Sequence, residues 1–451
     1  VTPTVRASLS AVAALFAGVL ATFVLVNPPQ WRSSFNASEG QLSSWNAAVP
    51  TGVVVGCALA VVTCALLLRA SSTRPAWIGA VVATAVLIAA RLTVSGVGDL
   101  EQLTLLYYAK CLAGGVLLGA AVAAVWARPV PRLALVGAVG ATFVVAHTAK
   151  ADWAPSTSAL GEPFWWILIP ALVLAAVCAV VDDATPERID RDTALGVTLA
   201  AVTFALAHRL LGEWVDRQTG SQLQQWVVVA LCLVLVVALA EFWARRLDAP
   251  FLLAATAVAA VTPFVATVLG QEYLRLRPWV SVAVGVVAVA VGVGVAVSLA
   301  RRMPMIGLAV LALIPLSVLV APGTTDNQGW VLVQLAALGV GIGLGLGSTV
   351  PSRAATGALG LAVPLLSLVF ARVVGVTTSF VIYSGAYEPL PGVPFARSQD
   401  DSYTGNRVLI NSSMPTITFD RTAAVAMLLV VVFCALAIRG QRRQQSSALP
   451  E

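Results

Sequence analysis

LSAVAALFAGVLATFVLV, residues 9–26, is an apolar run without a charge, in which only Ser10 and Thr22 carry polar side chains. Lipid offers no partner to a backbone N–H or C=O. A run of this length therefore crosses a bilayer as a helix, which satisfies those groups within the segment. Asn27-Pro28-Pro29-Gln30-Trp31 follows, without the small-residue pattern at which a secretory signal is cut, so the run reads as a first membrane span.

The same criterion recurs along the chain. Spans are expected at 8–26, 49–68, 76–97, 103–126, 132–149, 164–181, 193–211, 224–243, 250–270, 278–299, 305–321, 330–348, 355–382 and 422–439. Hydrophobic residues make up 59% of the chain, charged residues 11%, and the mean hydropathy is +0.90. A soluble domain carries about 25% charged residues, so the fold class is an all-α polytopic membrane protein of about fourteen helices. The ten-residue alternation of a membrane barrel is missing. All six cysteines fall inside apolar runs and read as small packing residues, not as disulfide or metal partners.

With the N-terminus placed in the cytoplasm, the inner segments hold fifteen basic residues and the longer outer segments eight. The positive-inside rule then places both termini in the cytoplasm, of a bacterial plasma membrane on this composition. The net charge of +6 is spread thinly over short loops, which fits an orientation signal and not nucleic-acid binding. Most tryptophans, Trp77 and Trp126 included, fall near predicted span ends and read as an interfacial belt. One connection, 383–421, is a polar outer segment far longer than the rest and expected to be irregular. Arg74-Pro75-Ala76-Trp77-Ile78-Gly79 is echoed by Arg302-Met303-Pro304-Met305-Ile306-Gly307, each after the second span of a presumed half. Repeated halves are a common plan for secondary transporters.

Several segments in order resemble the major facilitator superfamily, specifically its fourteen-helix branch of drug:proton antiporters. Ala21-Thr22-Phe23-Val24-Leu25-Val26-Asn27 stands where that branch shows L-D-x-T-I-V-N. Leu106-Tyr107-Tyr108-Ala109-Lys110-Cys111-Leu112-Ala113-Gly114 is similar to its L-x-x-x-R-x-x-Q-G. Phe242-Trp243-Ala244-Arg245-Arg246-Leu247-Asp248-Ala249-Pro250 resembles its entry to the ninth span. The resemblance implies two pseudo-symmetric six-helix bundles, 1–182 and 250–451, joined by an inserted helix pair, 183–249. Two family features are missing. Leu68–Arg74 lacks the inner-loop aspartate, and Val136–Thr142 lacks the antiporter turn.

Ionisable groups within a bilayer invite a functional reading. The expected translocation pathway holds Thr22, Asn27, Arg91, Lys110, Gly114 and Arg372, and the candidate titrating groups are Asp99, Glu101, His147 and His208. Two readings of Lys110 stay open: a cation of a central cavity, or a side chain that snorkels with Arg91 toward Asp99 and Glu101. No catalytic set, metal cluster or phosphate-cradling loop stands out, and no cofactor is expected. A lipid-linked glycosyltransferase would need acids in the first outer loop, and residues 27–48 offer only Glu39. The leading expectation is an alternating-access carrier exporting an amphipathic or lipid-like small molecule, with proton coupling as an open question. The alternative is a degenerate facilitator acting as a non-transporting membrane scaffold or accessory subunit, and an accessory envelope protein is a further candidate partner. The expected partners are the lipid bilayer and that solute.

Overall fold

The computed structural model describes residues 3–27, 38–94, 99–148, 160–217, 222–269, 277–298, 304–320, 327–366, 370–371, 378–381, 416–419 and 421–447. The first six helices are α1 (Pro3–Val26), α2 (Glu39–Leu67), α3 (Arg74–Val94), α4 (Leu100–Val125), α5 (Pro129–Thr148) and α6 (Trp165–Val181). Two more follow, α7 (Arg191–Asp216) and α8 (Gln222–Arg246). The rest are α9 (Pro250–Leu269), α10 (Pro278–Ser298), α11 (Pro304–Val320), α12 (Gln328–Thr349), α13 (Ala354–Ala362) and α14 (Arg421–Ser447). Among the described residues, 10 helices are long and apolar enough to cross a membrane, and shorter apolar helices accompany them. The chain is an all-α polytopic membrane protein.

Helix ends follow local chemistry. Ser38 and Gln41 form a reciprocal capping box that starts α2 ahead of its apolar run. Asp190 accepts from the Thr193 amide at the start of α7, and that backbone bond holds its carboxyl below the usual range. Between α8 and α9, Asp248 takes the left-handed conformation at φ 51°, and the Ala249 N–H reaches back to the Ala244 carbonyl. This closes α8 so that Pro250 can open α9.

One expected span is overturned. Among the described residues of the run 355–382, α13 stops at Ala362, a 3-10 turn follows at Pro364–Leu366, Phe370 and Ala371 are helical, and the run's end at Thr378–Val381 is a strand. Pro364 brings no N–H and its ring crowds the preceding turn, while Val373, Val374, Val376, Thr377 and Thr378 favour extended backbone. Strand β1 (Thr378–Val381) then pairs antiparallel with β2 (Thr416–Phe419), Thr378 opposite Phe419. The expectation of wholly irregular structure for 383–421 fails at β2; nearly all of that connection lies outside the described residues.

Packing repeats along the chain. In the first six helices, α1 packs on α4, α5 and α6, α2 on α4, and α3 on α4 and α6. In the last six, α9 packs on α12, α13 and α14, α10 on α12, and α11 on α12 and α14. The two sets meet where α5 lies on α10 and α2 on α13. Between them in sequence, α7 packs on α2, and α8 on α9 and α14.

The tightest pairs of the two sets share one device. On α2, a Cβ at Gly56 would stand 2.6 Å from the Cys111 carbonyl of α4. On α10, a Cβ at Gly292 would stand 2.6 Å from the Val340 carbonyl of α12. Small residues let the backbones meet, which is how helices associate where lipid removes the hydrophobic drive. Gly56→Ala and Gly292→Ala are expected to destabilise by about 1–3 kcal/mol each. Gly294→Ala, whose Cβ meets open space, should leave stability unchanged or slightly raised. Thermal unfolding in detergent checks all three.

Candidate functional site

The α1–α4 pair brings part of the expected pathway together, but not around a cavity. Lys110 is 2% exposed, and its Nζ donates to the carbonyls of Asn27 at 3.0 Å, Leu160 at 2.6 Å and Gly161 at 3.3 Å. It also lies 5.5 Å from the Tyr107 ring centroid. Gly161, at φ 62°, makes the turn that aims two of those carbonyls at the ammonium. The Asn27 side chain donates to the same Gly161 carbonyl at 3.2 Å. Nearby, Arg91 donates to the Pro163 carbonyl and stacks over Trp165, 4.7 Å from its ring centroid. Lys110, Asn27 and Arg91 thus hold the lead-in to α6 across the end of α1.

In this structure Lys110 does not face solvent: its three donor positions are taken by carbonyls. Nor does it snorkel: neither Lys110 nor Arg91 bonds Asp99 or Glu101 among the described residues. Asp99 is the N-cap residue of α4 and Glu101 lies exposed in its first turn.

The remaining expected residues scatter. Gly114 is a packing glycine whose Cβ would stand 2.7 Å from Val24. Thr22 is fully buried and its hydroxyl has no hydrogen-bond partner in the described structure. His147 pairs through Nδ1 with the Phe143 carbonyl at 2.8 Å and lies against the Phe143 ring. His208, 1% exposed, sits between Phe204 and Phe370 with neither ring nitrogen bonded. Arg372 lies outside the described residues.

A polar cluster absent from the sequence reading lies at the other end of the first set. Asp182, just past α6, accepts from Trp77 Nε1 at 3.0 Å, from Arg128 at 2.6 and 3.3 Å, and from Ser10 at 3.4 Å. Arg128 also donates to Ser10 Oγ at 3.0 Å. One carboxylate so joins α1, α3, α6 and the α4–α5 turn. The same face carries a contact between the two sets and one from the segment before α7 to the last set. Trp126 Nε1 donates to the Pro351 carbonyl at 3.0 Å, and the Ala354 amide at the start of α13 donates to Glu187 at 3.4 Å. Trp77 and Trp126, expected in an interfacial belt, are buried with their indole N–H groups committed. A carboxylate directly after one span and an arginine in a neighbouring short turn were a usable signal, read only as charge count.

Open space lies elsewhere. A cleft of about 700 Å³ runs along α5 from Val130 to Val145, walled by α1, α10 and the start of α6. Phe16, Phe23, Phe164, Ile167 and Val286 line it, and among the described residues Thr142 is its one hydroxyl side chain. Sixteen residues of helix correspond to about 24 Å, more than one leaflet of a hydrocarbon core about 30 Å thick. By contrast α9 is closed off: Phe251–Val265 is buried throughout, and the hydroxyls of Thr256 and Thr262 return to carbonyls of their own helix.

No family model matches the chain, and no curated protein does. Among solved structures the chain is similar to one described as "Selectivity mechanism of a bacterial homologue of the human drug peptide transporters PepT1 and PepT2". The likeness covers 98% of this chain and 100% of that one, at 14% sequence identity and a TM-score of 0.48.

Two substitutions test the site's chemistry. Asp182→Ala strands Arg128 and is expected to destabilise by about 3 kcal/mol, the lower end for a broken buried pair because Arg128 keeps 22% exposure. Lys110→Met leaves three carbonyls without their donor and should lower the thermal midpoint clearly. A Lys110→Met protein as stable as wild type would remove the clamp.

Proposed function

We propose that the chain is a facilitator-type secondary transporter, a divergent relative of the major facilitator superfamily's fourteen-helix branch. On this reading α1–α6 and α9–α14 are two halves and α7–α8 an inserted pair. The halves rock about the α5–α10 and α2–α13 seams, exposing a site to each side of the membrane in turn. The observation that carries the reading is the repeated packing of the two sets, glycine-backed pair included, with an apolar cleft open at one seam.

The cleft's chemistry selects the solute. Its wall offers hydrocarbon and aromatic faces and little to bind a peptide or a sugar, so the solute is an amphipathic or lipid-like small molecule. The direction is export from the cytoplasm across a bacterial plasma membrane, with both termini inside. The Trp126–Pro351 and Glu187–Ala354 contacts act as the cytoplasmic gate. The first ties the two halves directly, and the second ties the inserted segment to the C-terminal half.

A scaffold function is the second reading, and the burial of α9 favours it. A rocking carrier usually keeps solvated polar groups between its halves, whereas this core is packed with apolar side chains. The two readings separate in proteoliposomes loaded with fluorescent lipids and drugs, with and without a proton gradient. Ala134 and Ala141 both line the cleft and are half-buried, so phenylalanine there fills the space without entering the core. The carrier reading expects wild type to move a lipid-like probe, and the Ala134→Phe/Ala141→Phe protein to lose at least about tenfold of that rate. No movement of any probe by well-folded wild type would support the scaffold.

A further inference from the structure

At the ends of α8 and α14 the structure contains a second cleft, of about 280 Å³, built from both polar and apolar groups. Its polar end is formed by Glu241 and Arg245, which pair with each other, and by Gln441. Its apolar wall is Phe433 and Leu436, one to two turns back along α14 and both exposed on the outer surface. The apolar spans of the two helices end at Arg246 and Arg443, so the cleft sits at the depth where hydrocarbon gives way to headgroups.

Gln441 marks this cleft as a binding site. Its residue is 8% exposed, yet neither Nε2 nor Oε1 has a hydrogen-bond partner in the described structure. A buried amide without a partner is unfavourable in donor and acceptor alike, and such a group calls for an explanation. Both atoms are closed off from the surface in this structure, but their side chain lines the cleft, and a change of rotamer turns the amide into it. The ligand it awaits must accept a hydrogen bond and donate one.

Charge narrows the class. The two helix ends carry Arg245, Arg246, Arg439, Arg442 and Arg443 against the carboxylates of Glu241 and Asp248. The excess outweighs the negative carbonyl ends of α8 and α14, where an anion would otherwise be disfavoured. Basic pockets between membrane helices at the headgroup level hold anionic lipids. The geometry points to a phospholipid site: a phosphodiester accepts from Gln441 Nε2 and the arginines, and a hydroxylated glycerol headgroup donates to Gln441 Oε1 or Glu241. One acyl chain then lies along Phe433 and Leu436. The class is phosphatidylglycerol-like, an anionic lipid with headgroup hydroxyls, held at a site separate from the α5–α10 cleft.

The test uses the full chain purified in detergent, with thermal stability and lipid retention by native mass spectrometry as readouts. Added phosphatidylglycerol should raise the midpoint of wild type and be retained in preference to phosphatidylcholine. Gln441→Leu removes the orphan amide. It should therefore raise the lipid-free midpoint and lose the response to phosphatidylglycerol, a pairing that a merely structural glutamine would not give. Arg439→Gln should cut retention about fivefold and leave phosphatidylcholine unaffected. Equal retention of the two lipids by wild type, or an undiminished phosphatidylglycerol response in Gln441→Leu, would overturn the site. Displacement of the lipid by millimolar glycerol 3-phosphate would also overturn it, by showing a pocket for a free phosphate ester.

Discussion

Two helix pairs must bring their backbones together for the remaining packing to form. At Gly56 and at Gly292 the neighbouring helix lies so close that a single methyl group would meet a carbonyl oxygen. Lipid gives apolar helices no reason to leave it, so association depends on dispersion at close range and on the fit that small residues permit. Once α2 is set on α4, the positions of α1, α3 and α13 are constrained, because each packs on one member of that pair. Setting α10 on α12 does the same for α9, α11 and α5. The seam between the sets is made from helices that these pairs position.

Polar chemistry then finishes what small residues begin. At one end of the first set Lys110 gathers three carbonyls, and at the other Asp182 gathers an indole, a guanidinium and a hydroxyl. Both are ionisable groups with their bonding capacity used, which is the condition for keeping a charge in low dielectric. In this structure they tie the ends of α1 and α6 to their neighbours. The cleft along α5, by contrast, is lined almost wholly by apolar side chains, and it moves the transport question from charge to shape.

Span positions were legible to within a few residues, because an apolar run must cover the hydrocarbon and the connections are short. The failure at the end of 355–382 came from hydropathy being blind to backbone preference: Thr378–Val381, rich in β-branched and aromatic side chains, pairs as a strand. The part played by Lys110 was not legible, since its partners are carbonyls of a turn at 160–161 that no side-chain pattern announces. Asp182 and Arg128 were visible only as loop charges, and helix packing alone makes them neighbours. The cleft was hidden for the opposite reason, because its lining resembles every other apolar surface of the chain.

The central claim is that two six-helix sets move as bodies about the α5–α10 seam, and distances between spin labels test it directly. Val130 of α5 and Val297 of α10 are exposed on opposite sides of the seam, while Val130 and Leu15 of α1 lie within one set. In a bilayer the Val130–Val297 pair should show two distance populations whose balance shifts with an added lipid-like solute. The Val130–Leu15 pair should keep one distance throughout. A single unchanging distance for both pairs, under every condition, would contradict the account and leave a rigid membrane scaffold.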